Sequence, residues 1–93
     1  MKEKRFIRKQ WSEEDICFYL CFEGEEAIKQ IEASSDNITL LSKEHPTNGD
    51  HFLFDQKLSD LELEPADFIT EGIFQEMWDR GLNYLEGGYE KNR

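Results

Sequence analysis

Two cysteines, two histidines and twenty-one acids are the side chains in this 93-residue chain from which chemistry could be built. Cys17 and Cys21 lie inside Ile16-Cys17-Phe18-Tyr19-Leu20-Cys21-Phe22, seven apolar or aromatic residues without a break. On an extended strand four positions span about 13 Å, which forbids a disulfide between them and predicts buried thiols in a reducing compartment. A cysteine or serine nucleophile needs a base beside it, and the only histidines, His45 and His51, fall in or next to a turn far along the chain. His45, Asp50, His51 and Asp55 offer four oxygen and nitrogen ligands, but their spacing matches no standard zinc set, so no metal is expected. Carboxylate pairs for acid–base work have no apolar setting that would hold a proton. Gly87-Gly88 follows a helical pattern, whereas a phosphate-binding glycine loop must precede one. The expectation is a protein that is not an enzyme and carries no cofactor.

The acids are arranged more tellingly than they are numerous. Residues 1–10 carry five Lys/Arg (Lys2, Lys4, Arg5, Arg8 and Lys9) against Glu3, so the other 83 hold six bases against twenty acids, a net of about −14. One base-free run contains Glu13, Glu14, Asp15, Glu23, Glu25 and Glu26; the other contains Asp60, Glu62, Glu64, Asp67, Glu71, Glu76 and Asp79. Such a field repels nucleic acid and anionic lipid and speeds the approach of a basic partner. The basic N-terminus is balanced within the chain on this reading, and direct binding of nucleic acid or membrane is not expected.

These residues need a scaffold, and the chain is long enough for one. A length of 93 residues with 38% hydrophobic and 13% aromatic content predicts a single domain, 1–93, with an ordered core over about 5–86, too small for a deep cleft to be easily built. No segment approaches the roughly 18 apolar residues of a membrane span, and Met1-Lys2-Glu3-Lys4-Arg5 has no apolar signal region, so a cytoplasmic location is expected. Phe6 to Trp11 alternates as a first strand, and Ile16 to Phe22 reads as the central strand, covered on both faces. Trp11, Cys17, Tyr19 and Cys21 form an odd-numbered face that lies under a helix or faces a ligand. Residues 25–33 fit helix by composition and strand by length, and local signals leave the two even. Ile38 to Ser42 is a returning strand, His45 to Asp50 a turn, and Phe52-Leu53-Phe54 a short last strand. Leu58, Leu61 and Leu63 alternate with acids and pin an irregular arm broken by Pro65. Thr70 is a natural N-cap for an amphipathic helix carrying Ile73, Phe74, Met77, Trp78, Leu82 and Leu85 on one stripe. Gly81 marks a stop or kink, and Gly87-Gly88 ends the helix. Phe18, Leu20, Ile28, Ile31, Phe74, Met77 and Trp78 are the expected core.

The stretches Phe18 to Gly24, Ile28 to Glu32, Asp55 to Leu61, Ile69-Thr70 and Phe74 to Trp78 resemble a family of small, functionally uncharacterised bacterial domains. The resemblance covers most of residues 5–80 and implies a β-meander closed by one C-terminal helix, which turns the ambiguous segment towards strand. It implies no catalytic residues, and its setting, small stand-alone bacterial open reading frames, includes candidate immunity proteins. The basic first strand and Gly72 in the first helical turn depart from the pattern. The fold expected is therefore α+β: an antiparallel sheet of four or five strands packed against one C-terminal helix.

Charge complementarity makes an inhibitor the leading functional expectation: an immunity protein that neutralises a basic bacterial toxin, such as a nuclease, by pairing its acids with the Lys/Arg that grip phosphate. Asp60, Glu62, Glu64 and Asp67 are the expected partner-binding residues, with Glu13, Glu14 and Asp15 as the second surface. A nucleic-acid mimic that blocks a phage-defence or DNA-binding enzyme is the related alternative. A small metal-dependent enzyme using the loop from His45 to Asp55 is the alternative of a different class.

Overall fold

The computed structural model describes residues 3–11, 15–35, 37–49 and 51–91, and its described side chains end at residue 83 and leave out Trp11. The apolar run becomes strand β2 (Ile16–Glu23), between β1 (Lys4–Trp11) and β3 (Glu26–Ala33). Beyond β3 lies β4 (Ile38–Ser42), and β7 (Phe68–Ile69) adds to the other edge of β1, giving one antiparallel sheet of order β4-β3-β2-β1-β7. A second, two-stranded sheet pairs β5 (Thr47–Asn48) with β6 (His51–Phe52). A single helix, α1 (Glu71–Lys91), closes the fold. The fold is thus α+β: a five-stranded antiparallel sheet whose first four strands form a meander, with β7 beside β1, and one C-terminal helix. The ambiguous segment is a strand, because its alternation serves two covered faces. The fifth strand, however, is Phe68–Ile69; of the expected strand at 52–54 only Phe52 is in a strand, paired with His51 in the second sheet, and Leu53 and Phe54 are irregular chain.

Register decides which side chains share a face. Ile7, Leu20, Gln30 and Leu41 form one cross-strand row and Lys9, Phe18, Glu32 and Thr39 the next, all on one side of the sheet. Phe6, Cys21, Lys29 and Ser42, then Arg8, Tyr19, Ile31 and Leu40, lie on the other. Trp11 pairs with Ile16 and Gln10 with Cys17, so the grouping of Trp11 with Cys17, Tyr19 and Cys21 does not hold. Numbering parity carries across a hairpin only when its pairing is known. Between β2 and β3 the register shifts: Cys21 opposes Lys29 and Phe22 opposes Ala27, leaving Ile28 unopposed in a β-bulge. The turn joining these strands places Gly24 at φ +64°, a conformation that glycine adopts without steric cost.

Helix α1 covers the second of these faces. Thr70 caps it as expected, its Oγ1 accepting the Ile73 N–H at 3.1 Å. Phe74 is buried against Cys21 and Ile31, with Phe6, Tyr19, Leu40 and Ile69 around them. Its ring lies 5.4 Å from that of Phe6 and 6.2 Å from that of Trp78, near-stacked at 20° with the latter. Such aromatic pairs contribute about 0.5–1.5 kcal/mol beyond area burial. Met77 and Trp78, expected in the core, are half-buried: α1 lies chiefly over β4, and the outer face of Trp78 is left to the Lys29 ammonium, 4.9 Å from the ring centroid. Ile28 and Phe18 are also half-buried.

The helix neither stops at Gly81 nor ends at Gly87-Gly88, but runs to Lys91. Gly81 is a contact residue: a Cβ there would stand 2.5 Å from Leu40 Cδ2 and 2.9 Å from its Cγ, so the missing methyl lets α1 approach β4. The propensity cost of about 1 kcal/mol per glycine is small beside the burial that this approach permits. Gly87 and Gly88 are accommodated as ordinary helical positions, at the same cost in propensity.

Candidate functional site

The first face is covered by irregular chain instead of a helix. Ile7, Leu20, Phe22 and Ala27 are buried beneath the arm, with Leu58 buried and Leu53, Phe54, Leu61 and Leu63 partly buried against them. The leucine-pinned arm is therefore real. It is built from two 3-10 turns, Leu58–Asp60 and Pro65–Asp67. Irregular chain cannot satisfy its own backbone, so the sheet must supply partners. Gln30, 4% exposed, does so: its Oε1 accepts the Phe54 N–H at 2.8 Å and its Nε2 donates to the Phe52 carbonyl at 3.1 Å. The side-chain amide stands in for a peptide unit of a neighbouring strand. Its Nε2 also donates to Glu32 Oε2 at 2.8 Å, and Glu32 Oε1 meets His51 Nδ1 at 2.8 Å. Glu32 itself is only 9% exposed.

The cover is incomplete. Between this network and the arm runs an open groove of about 560 Å³, floored by Ile16, Phe18 and Leu20 and walled by Phe52, Phe54 and Leu61, with Lys9, Glu32 and His51 along it. Its size falls within the roughly 300–1,000 Å³ of small ligand sites. Phe52 is 63% exposed at the rim, more than any other large apolar residue described. An ionised Glu32 can only accept from His51 Nδ1, and in the neutral ring with its hydrogen on Nδ1 the other nitrogen, Nε2, is an acceptor. Among the described residues Nε2 has no hydrogen-bond partner.

The sequence-predicted interface residues divide. Asp60, Glu62 and Glu64 are exposed on the arm and make no ion pair among the described residues. Asp60 Oδ2 accepts the Lys57 N–H only at 3.4 Å. Asp67 is different: its Oδ2 accepts the Glu64 N–H at 2.9 Å and pairs with Lys9 Nζ at 3.1 Å. The Glu64 N–H, and after it Lys9, hold the Asp67 carboxyl below its usual range. It closes the arm onto β1 instead of presenting a free charge. Asp15 is exposed in the β1–β2 turn at φ +54°, a left-handed conformation that aspartate tolerates better than most residues. Glu13 and Glu14 lie outside the described residues.

The described cations are largely engaged: Arg5 with Glu3 at 3.1 Å, Lys43 with Glu26 at 2.9 Å and Arg80 with Glu76 at 3.1 Å. In the loop proposed for metal, His51 turns to Glu32, His45 is exposed and donates its backbone N–H to Ser42 Oγ, and Asp50 lies outside the described residues. Among the described residues no group of three or more metal-ligating side chains comes together. Among them, too, no helix is long and apolar enough to cross a membrane. Burial pushes the Cys21 thiol above its usual range, which keeps it protonated and unreactive at neutral pH.

Sequence reasoning missed Gln30 and Glu32, and weighed His51 only as a base or a metal ligand and not as the partner of Glu32. The signal available was the i, i+2 spacing of Gln30 and Glu32, which puts both on one face once the segment is a strand. That face then lies across from Leu20 and Phe18 of a strand covered on both sides. No protein-family model matches the chain, and neither a curated protein nor a solved structure matches it.

Proposed function

We propose that the chain is a small acidic binding protein that inhibits a basic protein partner, most simply an immunity protein that occupies the cationic surface of a bacterial toxin such as a nuclease. The observation that carries this reading is the state of the arm. Asp60, Glu62 and Glu64 are exposed carboxylates without ion-pair partners among the described residues, on chain anchored by the buried Leu58 and half-buried Leu61 and Leu63. A charge held on an anchored segment loses little freedom when it is paired, and a field of one sign steers encounter. Asp67, already neutralised by Lys9, supports the arm's geometry in this reading and not its charge.

The test is a variant carrying Asp60→Asn, Glu62→Gln and Glu64→Gln, compared with wild type in stopped-flow association with a partner recovered from the native cell. Exposed charges contribute little to stability, so the melting temperature should hold. The association rate should fall about tenfold or more at low salt, and the wild-type rate should fall as ionic strength rises. An association rate unchanged in the variant would move the interface off the arm, and the absence of any protein partner would end the reading.

A further inference from the structure

The groove beneath the arm is shaped and charged for one kind of occupant. Its floor and walls are aromatic and aliphatic, from Phe18, Leu20, Phe52, Phe54 and Leu61. Its one hydrogen-bonding atom left without a described partner is His51 Nε2, an acceptor while the ring is neutral. Leu61 lines the groove and is flanked in sequence by the exposed Asp60 and Glu62, so the segment that walls the slot is acidic, while Lys9, the cation in the lining, is already paired with Asp67. A flat ring carrying a hydroxyl donor fits that slot, and cationic neighbours fit its border.

We infer that the groove is an anchor pocket for a tyrosine side chain of the basic partner, flanked there by lysine or arginine, with the phenol hydroxyl donating to His51 Nε2 and the ring lying among Phe18, Phe52 and Phe54. The inference rests on the reading of this chain as a binder of a basic protein, and it names the residue that the partner inserts. Large amphipathic aromatics are the usual anchors of such interfaces, because they bury much area with few rotatable bonds. The exposed Phe52 is the residue that such a ring would cover. The arm steers; the groove holds.

Three capped peptides, acetyl-Arg-Tyr-Lys-amide and its Phe and Ala counterparts, test this directly by titration into the full chain with NMR detection. The tyrosine peptide should shift the resonances of Phe18, Leu20, Gln30 and His51, the phenylalanine peptide should bind about fivefold more weakly for want of one hydrogen bond, and the alanine peptide should leave these residues unmoved. Equal shifts from all three would mean charge attraction alone and would overturn the pocket, as would shifts confined to other residues. His51→Asn is the sharper variant, since its amide can still donate to Glu32 while the Nε2 acceptor is gone. It should fold as wild type and bind the tyrosine and phenylalanine peptides alike; a persisting preference for tyrosine would remove His51 from the proposal. Phe52→Ala, at an exposed position, should weaken the tyrosine peptide severalfold, and no change would take the rim out of the site. p-Cresol that binds as tightly as the tyrosine peptide would show a site for free phenols and overturn the protein partner. These titrations need no native partner, so their success or failure is separate from the arm's association kinetics.

Discussion

The two faces of this sheet are covered in opposite ways. On one, α1 satisfies its own backbone and needs only apolar residues beneath it, so Phe74, Cys21 and Ile31 pack with no amide or carboxylate in the cluster. On the other, residues 52–63 bring peptide groups that a helix would have bonded internally, and the sheet answers with the buried Gln30, itself held by the buried Glu32. A helix closes a face; an irregular arm closes only part of one and obliges polar residues to lie inside. The groove follows from that obligation, and so does the histidine held at its side by Glu32.

The contrast breaks first on the helix side. Phe74→Ala should cost about 3–5 kcal/mol, a large share of the stability of so small a domain, measured as the shift in urea midpoint at constant slope. Trp78→Ala, half-buried, should cost clearly less; equal losses would mean that the helix sits more squarely on the sheet than described. On the arm side, Gln30→Leu fills the same space but strips the Phe54 N–H, the Phe52 carbonyl and Glu32 of a partner at once. A loss of about 2–3 kcal/mol is expected, with amide exchange rising first in residues 51–56. A neutral outcome would show that water replaces the amide.

How much of this was legible beforehand follows the same division. β2 and the start of α1 were readable because their determinants are local: an unbroken apolar run, a threonine cap and a 3.6-residue stripe. Gln30 and Glu32 drew no reading of their own, because their partners Phe52, Phe54 and His51 lie 19–24 positions later. Gly81 read as a helix stop or kink because its reason, Leu40, lies on strand β4, far away in sequence. The acidic arm was seen as a charge pattern, yet the single bond that separates Asp67 from its neighbours, to Lys9, spans 58 positions.

The close contact at Gly81 offers a middle-sized test. Gly81→Ala gains about 1 kcal/mol of helix propensity and loses about 1–3 kcal/mol to crowding against Leu40. A net loss near 1 kcal/mol is expected, and Leu40→Ala in the same chain should reverse its sign; additive effects would deny the contact. Smallest of all should be the acid limb of the stability curve. The carboxyl of Asp67 is held lower in the folded chain than in the unfolded one, so its contribution is present above the ordinary carboxylate range and fades as pH falls below about 4, through the lowered folded value. Asp67→Asn should flatten that limb, read by thermal melts across the acid range, and leave neutral-pH behaviour of α1 untouched. In the same samples a maleimide should label the half-buried Cys17 before Cys21.

The bulge at Ile28 sets a rule about insertions and deletions. With Ile28 unopposed, Ala27 and Gln30 look to the arm while Lys29 and Ile31 look to the helix. Remove the unopposed residue and the bulge closes into regular pairing, Ala27 against Phe22 and Lys29 against Cys21, with every later position of β3 kept on its side; remove one from 30–32 instead, with the bulge kept, and the positions beyond it exchange sides. Relatives of this chain should therefore tolerate the loss of one residue at 27–29, which the bulge absorbs, more readily than a loss at 30–32. An alignment with a one-residue gap at 30–32 would mark a protein whose polar network, and with it the groove, has been lost or rebuilt.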